Sequence, residues 1–198
     1  MQGLNGYWVI LLMGLNSLQG ASAHCSLSLS VKDRIENIVP IGYQRVATEI
    51  GVPCDLLYAM ALTESGQSRF SQNQWRPWPW TLNIEGRGQY FSSRREAWVQ
   101  LEKVVANESG SVDVGLLQIA WRYHQQALGS TWQALDPYHN LRVGAAILKR
   151  CFDSPLDWWQ SVGCYHAPND KGRAARYQQR VQHLWRKISP SAIEASTP

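Results

Sequence analysis

No apolar run in this chain approaches the roughly 20 residues that a bilayer-spanning helix needs, so no segment reads as a stable membrane span. No Cys-x-x-Cys pair occurs and the five His are scattered, which argues against a zinc site. Neither a metal nor any other cofactor is expected. Internal repeats and low-complexity tracts are missing as well, so repeat architectures drop out. Phe is scarce, three residues against ten Trp. Trp has a broad flat face and one N–H donor, which suits core filling, the reading for most of the ten, and equally stacking on sugar rings.

The 198 residues suffice for one domain with a substantial core and are too few for two comfortable ones. Hydrophobic residues at 44% and charged residues at 17% place the chain among ordinary globular proteins. The net charge of +4 fits nucleic acid, an anionic membrane surface or an acidic polymer such as cell-wall glycan. No nucleic-acid-binding motif accompanies it, so nucleic acid is not an expected partner.

Residues 1–23 read as an export signal. A short apolar run from Tyr7 to Leu15 is followed by polar Asn16, Ser17 and Gln19, then by the small residues Ala21-Ser22-Ala23 before a cut. No Lys or Arg precedes the run, so an uncleaved anchor is the competing reading, and His24 spoils Cys25 as a lipoprotein site. The expected location is the periplasm. Cys25, Cys54, Cys151 and Cys164 all follow the cut, and an even number in an oxidising compartment points to disulfides. The pairs Cys25–Cys54 and Cys151–Cys164 each close a local loop, worth about 3 kcal/mol apiece in the chain-entropy model.

Between the signal and a small, polar tail over 189–198, the pattern is mainly helical. Pro53 suits the first turn of a helix running to about Ser65, with Gly66 as its stop. Ser93 to Glu96 is a capping-box pattern opening a helix through Val105. Asp136-Pro137 starts another, carrying Val143, Ala146, Ile147 and Arg150 at helical spacing. A shorter helix follows Pro155, and an amphipathic one runs from about Arg173 to Lys187. Trp75 to Phe91 breaks the pattern: Thr81–Ile84 and Gln89–Phe91 flank Glu85-Gly-Arg-Gly88, a hairpin or a Gly-hinged loop.

Leu57, Met60, Ala61 and Glu64 stand at i, i+3, i+4 and i+7, which puts Glu64 on an apolar stripe and in the last turn of its helix. Desolvation and the negative end of the helix dipole both disfavour a carboxylate there and raise its pKa. A glycosidic oxygen needs such a protonated acid. A helix-end Glu turned to solvent, or paired with Arg69, satisfies the same local pattern.

A second segment, Ser111-Val-Asp-Val-Gly-Leu-Leu-Gln-Ile119, sets Asp113, Gly115 and Gln118 among apolar residues. With it the chain resembles the lysozyme-like (SLT) lytic transglycosylases. Glu64-Ser65 matches their catalytic Glu-Ser pair and Gly115 to Ile119 their Gly-Leu-Met-Gln-Ile motif. Asp136-Pro137 with Asn140, then Gly144 to Leu148, matches a third motif, and Val162 to Ala167 stands where the family has Ala-Tyr-Asn-Ala-Gly. The four occur in order between Ile50 and Trp185.

The resemblance implies a mainly α, lysozyme-like domain over residues 24–188, α+β in having one small hairpin or loop insertion. It implies action on peptidoglycan glycan strands at the β-1,4 bond between N-acetylmuramic acid and N-acetylglucosamine, with Glu64 as the acid. Ser65, Ser111, Gly115, Leu117, Gln118, Tyr165, His166 and Tyr177 would serve substrate binding.

Three departures bear on function. His166 replaces the usual Asn and Pro168 the Gly. The Trp75–Phe91 insertion is similar to a variant in conjugative-transfer and integrating-element transglycosylases, which implies a conjugation or secretion apparatus as partner. Asp113 in Asp-x-Gly-x-x-Gln-Ile is also similar to the second carboxylate of animal-type lysozymes, so a hydrolase using Glu64 and Asp113 stays open, as do a turn-forming role for Asp113 and a non-catalytic wall-binding module. Arg173, Arg176 and Arg180 share one helix face, either simply solvated or a contact for an anionic polymer.

Overall fold

The computed structural model describes residues 38–70, 72, 74–107, 110–154 and 156–189. The expected export signal, Cys25 with its bridge to Cys54, and the tail after Ser189 lie outside the described residues.

Helix α2 (Cys54–Ser65) is the axis of the fold. Every residue from Leu56 to Leu62 is buried, so the helix is enclosed on almost all sides rather than along one stripe. That explains its composition: a helix apolar around its circumference is stable only inside a core. Helix α1 (Ile41–Ile50) leads into it, with Tyr43 packed edge-on against Tyr58 at 4.9 Å.

The other helices wrap this axis. They are α3 (Arg94–Ala106), α4 (Trp121–Leu128), α5 (Thr131–Ala134), α6 (Pro137–Asp153), α7 (Trp158–His166) and α8 (Lys171–Ile188). Side chains stop the orphan N–H groups at most N-termini: Ser93, Ser130, Asp136, Asp157 and Asp170 each accept from the backbone N–H three residues on. At α3 the expected box is displaced by one residue, since the Glu96 carboxylate turns back to the N–H and hydroxyl of Ser92 rather than to Ser93. On α6 the buried residues are Asn140, Leu141, Val143, Gly144, Ala145 and Leu148, while Ala146 and Arg150 are exposed.

The insertion forms sheet. Strands β1 (Gly66–Gln67) and β2 (Arg76–Pro77) pair antiparallel and fold the chain back over the end of α2. Strands β3 (Thr81–Ile84), β4 (Arg87–Tyr90), β5 (Val112–Val114) and β6 (Ile119–Ala120) make a second sheet in the order β4-β3-β5-β6. The β3–β4 turn is the pair Glu85-Gly86, with φ of 49° and 81°, the doubly left-handed turn that matches strand twist. It is two residues shorter than the four-residue connection expected. Period two then sorts the faces: Leu82 and Val114 go to the core, while Asn83 and Asp113, paired in register, face away from it.

Most described Trp residues are structural. Trp78 stacks on Phe70 at 5.1 Å and meets Trp80 at 5.2 Å, Trp98 meets Trp132 at 5.7 Å, and Trp159 meets Trp185 at 5.3 Å. Trp75 is the most exposed of the described Trp residues, at 57%. The Cys151–Cys164 disulfide is present and ties the end of α6 to α7. Among the described residues no single helix is long and apolar enough to cross a membrane.

Candidate active site

Glu64 occupies the last turn of α2, half-buried, where β1, β5 and α8 converge. Burial pushes its carboxyl up to about 7. Tyr177 and Arg180 of α8 oppose that rise, and the charge of Asp113 adds slightly to it. Arg69 lies over the ring of Phe70 at 5.3 Å, and no ion pair with Glu64 occurs among the described residues.

Ser65 and Leu117, expected to line the substrate site, have no exposed surface. The Ser65 hydroxyl donates to the Leu116 carbonyl at 2.8 Å, fastening the end of α2 to the loop Gly115–Gln118. Leu117 points under the loop because Gly144 leaves it room: a Cβ on Gly144 would stand 2.2 Å from the Leu117 Cδ1. Burial of both side chains therefore replaces the expected ligand contact with a supporting one.

Asn140 secures the same loop. Its Oδ1 accepts from the Leu117 N–H at 3.0 Å, and its Nδ2 donates to the carbonyls of Val114 at 2.9 Å and Ala134 at 3.1 Å. Gly115 must be glycine here: its φ is 81°, and a Cβ would lie 2.4 Å from the Asn140 Nδ2. Gln118, also left-handed at φ 44°, donates its amide to the carbonyls of Gly115 and Thr81 at 2.8 and 3.2 Å. The exposed Ser111 presents its carbonyl to the Glu85 N–H at 3.0 Å, and so holds the hairpin turn.

On the sheet side, Asn83 donates to the Asp113 carboxylate at 2.9 Å, which favours its charged form, while burial, the larger effect, raises its pKa. Asp113 is thus no bare loop cap: it is a strand residue on the sheet face turned from the core, close enough to Glu64 to influence it. Asn83 was missed in the sequence. The alternation of Leu82 and Asn83 was its signal, but only the register with β5 makes it Asp113's partner.

Tyr165 and Tyr177 enter from α7 and α8. The Tyr165 hydroxyl donates to the Leu117 carbonyl at 2.7 Å, so the ring is held to the loop. Tyr177 is fully buried, and its hydroxyl has no partner within hydrogen-bonding geometry although it lies beside Glu64. Burial, then the charge of Glu64, holds both phenols well above their ordinary range, so both remain protonated donors. The His166 ring stacks on Tyr177 at 4.3 Å. Burial and the charges of Arg180 and Arg173 depress its pKa, which keeps it neutral near pH 7.

Beside this cluster runs an open groove of about 790 Å³, whose walls include Leu62, Thr63, Trp75, His166 and Tyr177. Among the described residues no three His, Cys, Asp or Glu side chains come together as a metal site.

This arrangement joins one acid of raised pKa, a second carboxyl, two phenol donors and a stiffened loop in one cluster. Comparison with known proteins agrees with it. The chain is 30% identical over 121 residues to the invasion protein IagB of Salmonella typhi, an overlap covering 57% of this chain and 75% of that protein. The figures are the same for IagB of Salmonella typhimurium strain SL1344. No solved structure gives a significant match. The family model for the transglycosylase SLT domain matches residues 43–186, most of the folded chain, and the protein belongs to that family, the lytic transglycosylases that act on peptidoglycan.

Proposed function

We propose that Glu64 performs both proton transfers of the lytic reaction. Its carboxylic acid gives a proton to the glycosidic oxygen as the bond from muramic C1 breaks. The N-acetyl group of the same sugar stabilises the cationic centre, a recognised alternative to a second enzymic carboxylate. The Glu64 carboxylate then takes the proton from the C6 hydroxyl as O6 bonds to C1. The product is a 1,6-anhydro end, the proton balance at Glu64 closes, and no water is consumed. Gln118 and the backbone around Gly115 hold the sugar against this acid.

One observation supports this reading above the others: a carboxyl poised near neutrality at a helix end, next to a loop pinned by Asn140 and Tyr165. A residue with pKa near the working pH serves as acid and base in turn. Mass analysis of the products tests it. Glu64→Gln lowers turnover by about 100-fold or more, and the wild-type products carry anhydro ends; reducing ends alone would overturn the reading.

The second reading, a lysozyme-type hydrolase, draws on the position of Asp113 beside Asn83 in the same cluster. It requires Asp113→Asn to be as damaging as Glu64→Gln and the products to be reducing sugars. The one-carboxylate mechanism expects Asp113→Asn to leave anhydro formation within about 10-fold of wild type.

We place the enzyme in the periplasm, where it opens the wall locally for a conjugation or secretion apparatus. The named role of IagB as an invasion protein and the sequence character of the Trp75–Phe91 insertion support this. Tracking of a tagged chain to the cell envelope, and loss of transfer or secretion in a Glu64→Gln strain, check it.

A further inference from the structure

Arg173, Arg176 and Arg180 converge on the groove that starts at Glu64's end of α2. They lie at i, i+3 and i+7 on α8, with His183 one turn further on, so one helix face presents all four. All are exposed, and none of the three Arg forms an ion pair among the described residues. Among the described residues no Asp or Glu lines the groove. Two acids stand near this face: Asp170, close to Arg173 and Arg176, caps α8 by accepting from the Arg173 N–H at 2.9 Å, and Glu64 lies near Arg180. Opposite the cations stands Trp75, fixed by close contact with Gly66, where a Cβ would come within 2.5 Å of the indole nitrogen. Leu62 and Leu184 complete the apolar side.

A chain of N-acetylated sugars offers these arginines no charge. The only anions that peptidoglycan carries beside the scissile bond are carboxylates of the stem peptide, which hangs from the lactyl group of muramic acid. We propose that the groove between Trp75 and the Arg173–Arg180 face is a subsite for the stem peptide, with Arg173 and Arg176 binding its carboxylates and Trp75 covering its apolar part. The proposal rests on the function given above. It makes the enzyme selective for glycan that still bears peptides. Arg180, close to Glu64, marks where the subsite meets the reacting sugar.

The test compares initial rates on intact glycan strands, whose stem carboxylates are free, and on strands whose stem carboxylates are amidated, since cutting at the lactyl bond would leave a new carboxylate on the sugar. The wild-type chain favours intact strands by about 10-fold in kcat/KM, the size expected for one or two charge-assisted contacts. In the Arg173→Gln, Arg176→Gln double variant this ratio falls towards one, and in the double Lys variant most of it returns. Calorimetric binding of a tetrasaccharide to the Glu64→Gln chain repeats the comparison without turnover, using free stems, stems with amidated carboxylates and no stems. A wild-type ratio of one, or an undiminished ratio in the folded Gln variant, overturns the proposal. So does tighter binding of a DNA duplex than of the peptide-bearing tetrasaccharide. Reducing ends from both strands, with the ratio intact, would sink the anhydro mechanism and leave the subsite standing.

Discussion

The ring of His166 lies flat on that of Tyr177, centroids 4.3 Å apart and planes within 7°. Tyr177 in turn sets its buried hydroxyl beside Glu64, so His166 reaches the acid only through a neighbour. Removing that hydroxyl takes away a group that favours the carboxylate, and the Glu64 pKa then rises further. In Tyr177→Phe the alkaline limb of the pH–rate profile therefore moves to higher pH. An unmoved limb would disconnect the phenol from Glu64.

For the wild-type enzyme the same limb sits near pH 7. Only protonated Glu64 can deliver the first proton, and its pKa is pushed up to about 7. The rate on a soluble glycan falls as pH rises through that value, measured as kcat/KM against pH.

Stability follows the same titration in the same direction. A pKa raised from 4.5 to about 7 on folding means that the native state holds the proton more tightly than the unfolded chain. The contribution of Glu64 is therefore fully favourable below pH 4.5 and is lost as pH climbs through about 7. Glu64→Gln, which carries no charge at any pH, is more stable than wild type at pH 8 by on the order of 3 kcal/mol and little different at pH 4. Urea titrations at the two pH values check this.

Gly144→Ala drives a methyl group into Leu117, the side chain beneath the Gly115–Gln118 loop. Overpacking of this kind costs about 1–3 kcal/mol, and the loop moves relative to Glu64. Thermal melting and kcat, measured together, register both effects; a melt and rate equal to wild type would contradict the contact.

Opening the Cys151–Cys164 bridge frees a 13-residue loop that ends one residue before Tyr165. The loss is about 3 kcal/mol on the chain-entropy account. Melting of the wild type and of the Cys151→Ser, Cys164→Ser double variant, both without reductant, measures it.

Local chemistry made the helices readable. Pro53 and Gly66 bracket α2, and Ser93, Asp136 and Asp157 each cap a helix through their own side chains. The sites of Glu64 and Gly115 were legible by resemblance of motifs. Direction was not: a motif names residue types in order, and whether Leu117 faces ligand or core depends on Gly144, some 30 positions later in the chain. Nor did periodicity place Asn83 against Asp113, because strand register across a 30-residue separation is set by tertiary pairing. On α6, Val143 follows the helical period into the core and Ile147 packs against it, while Gly144 and Ala145 are the residues small enough for the loop to approach.

Asn140 satisfies one N–H and two carbonyls of segments that form no regular ladder with each other. The stretch it gathers would otherwise sample many shapes, and each sugar that bound would have to select one. By spending a single buried amide at folding, the chain removes that ordering cost from every encounter with the wall. An enzyme acting on an insoluble polymer benefits twice, since its substrate cannot diffuse to meet it. The groove can then hold a strand by shape already set, and binding energy remains available for the distorted sugar at Glu64.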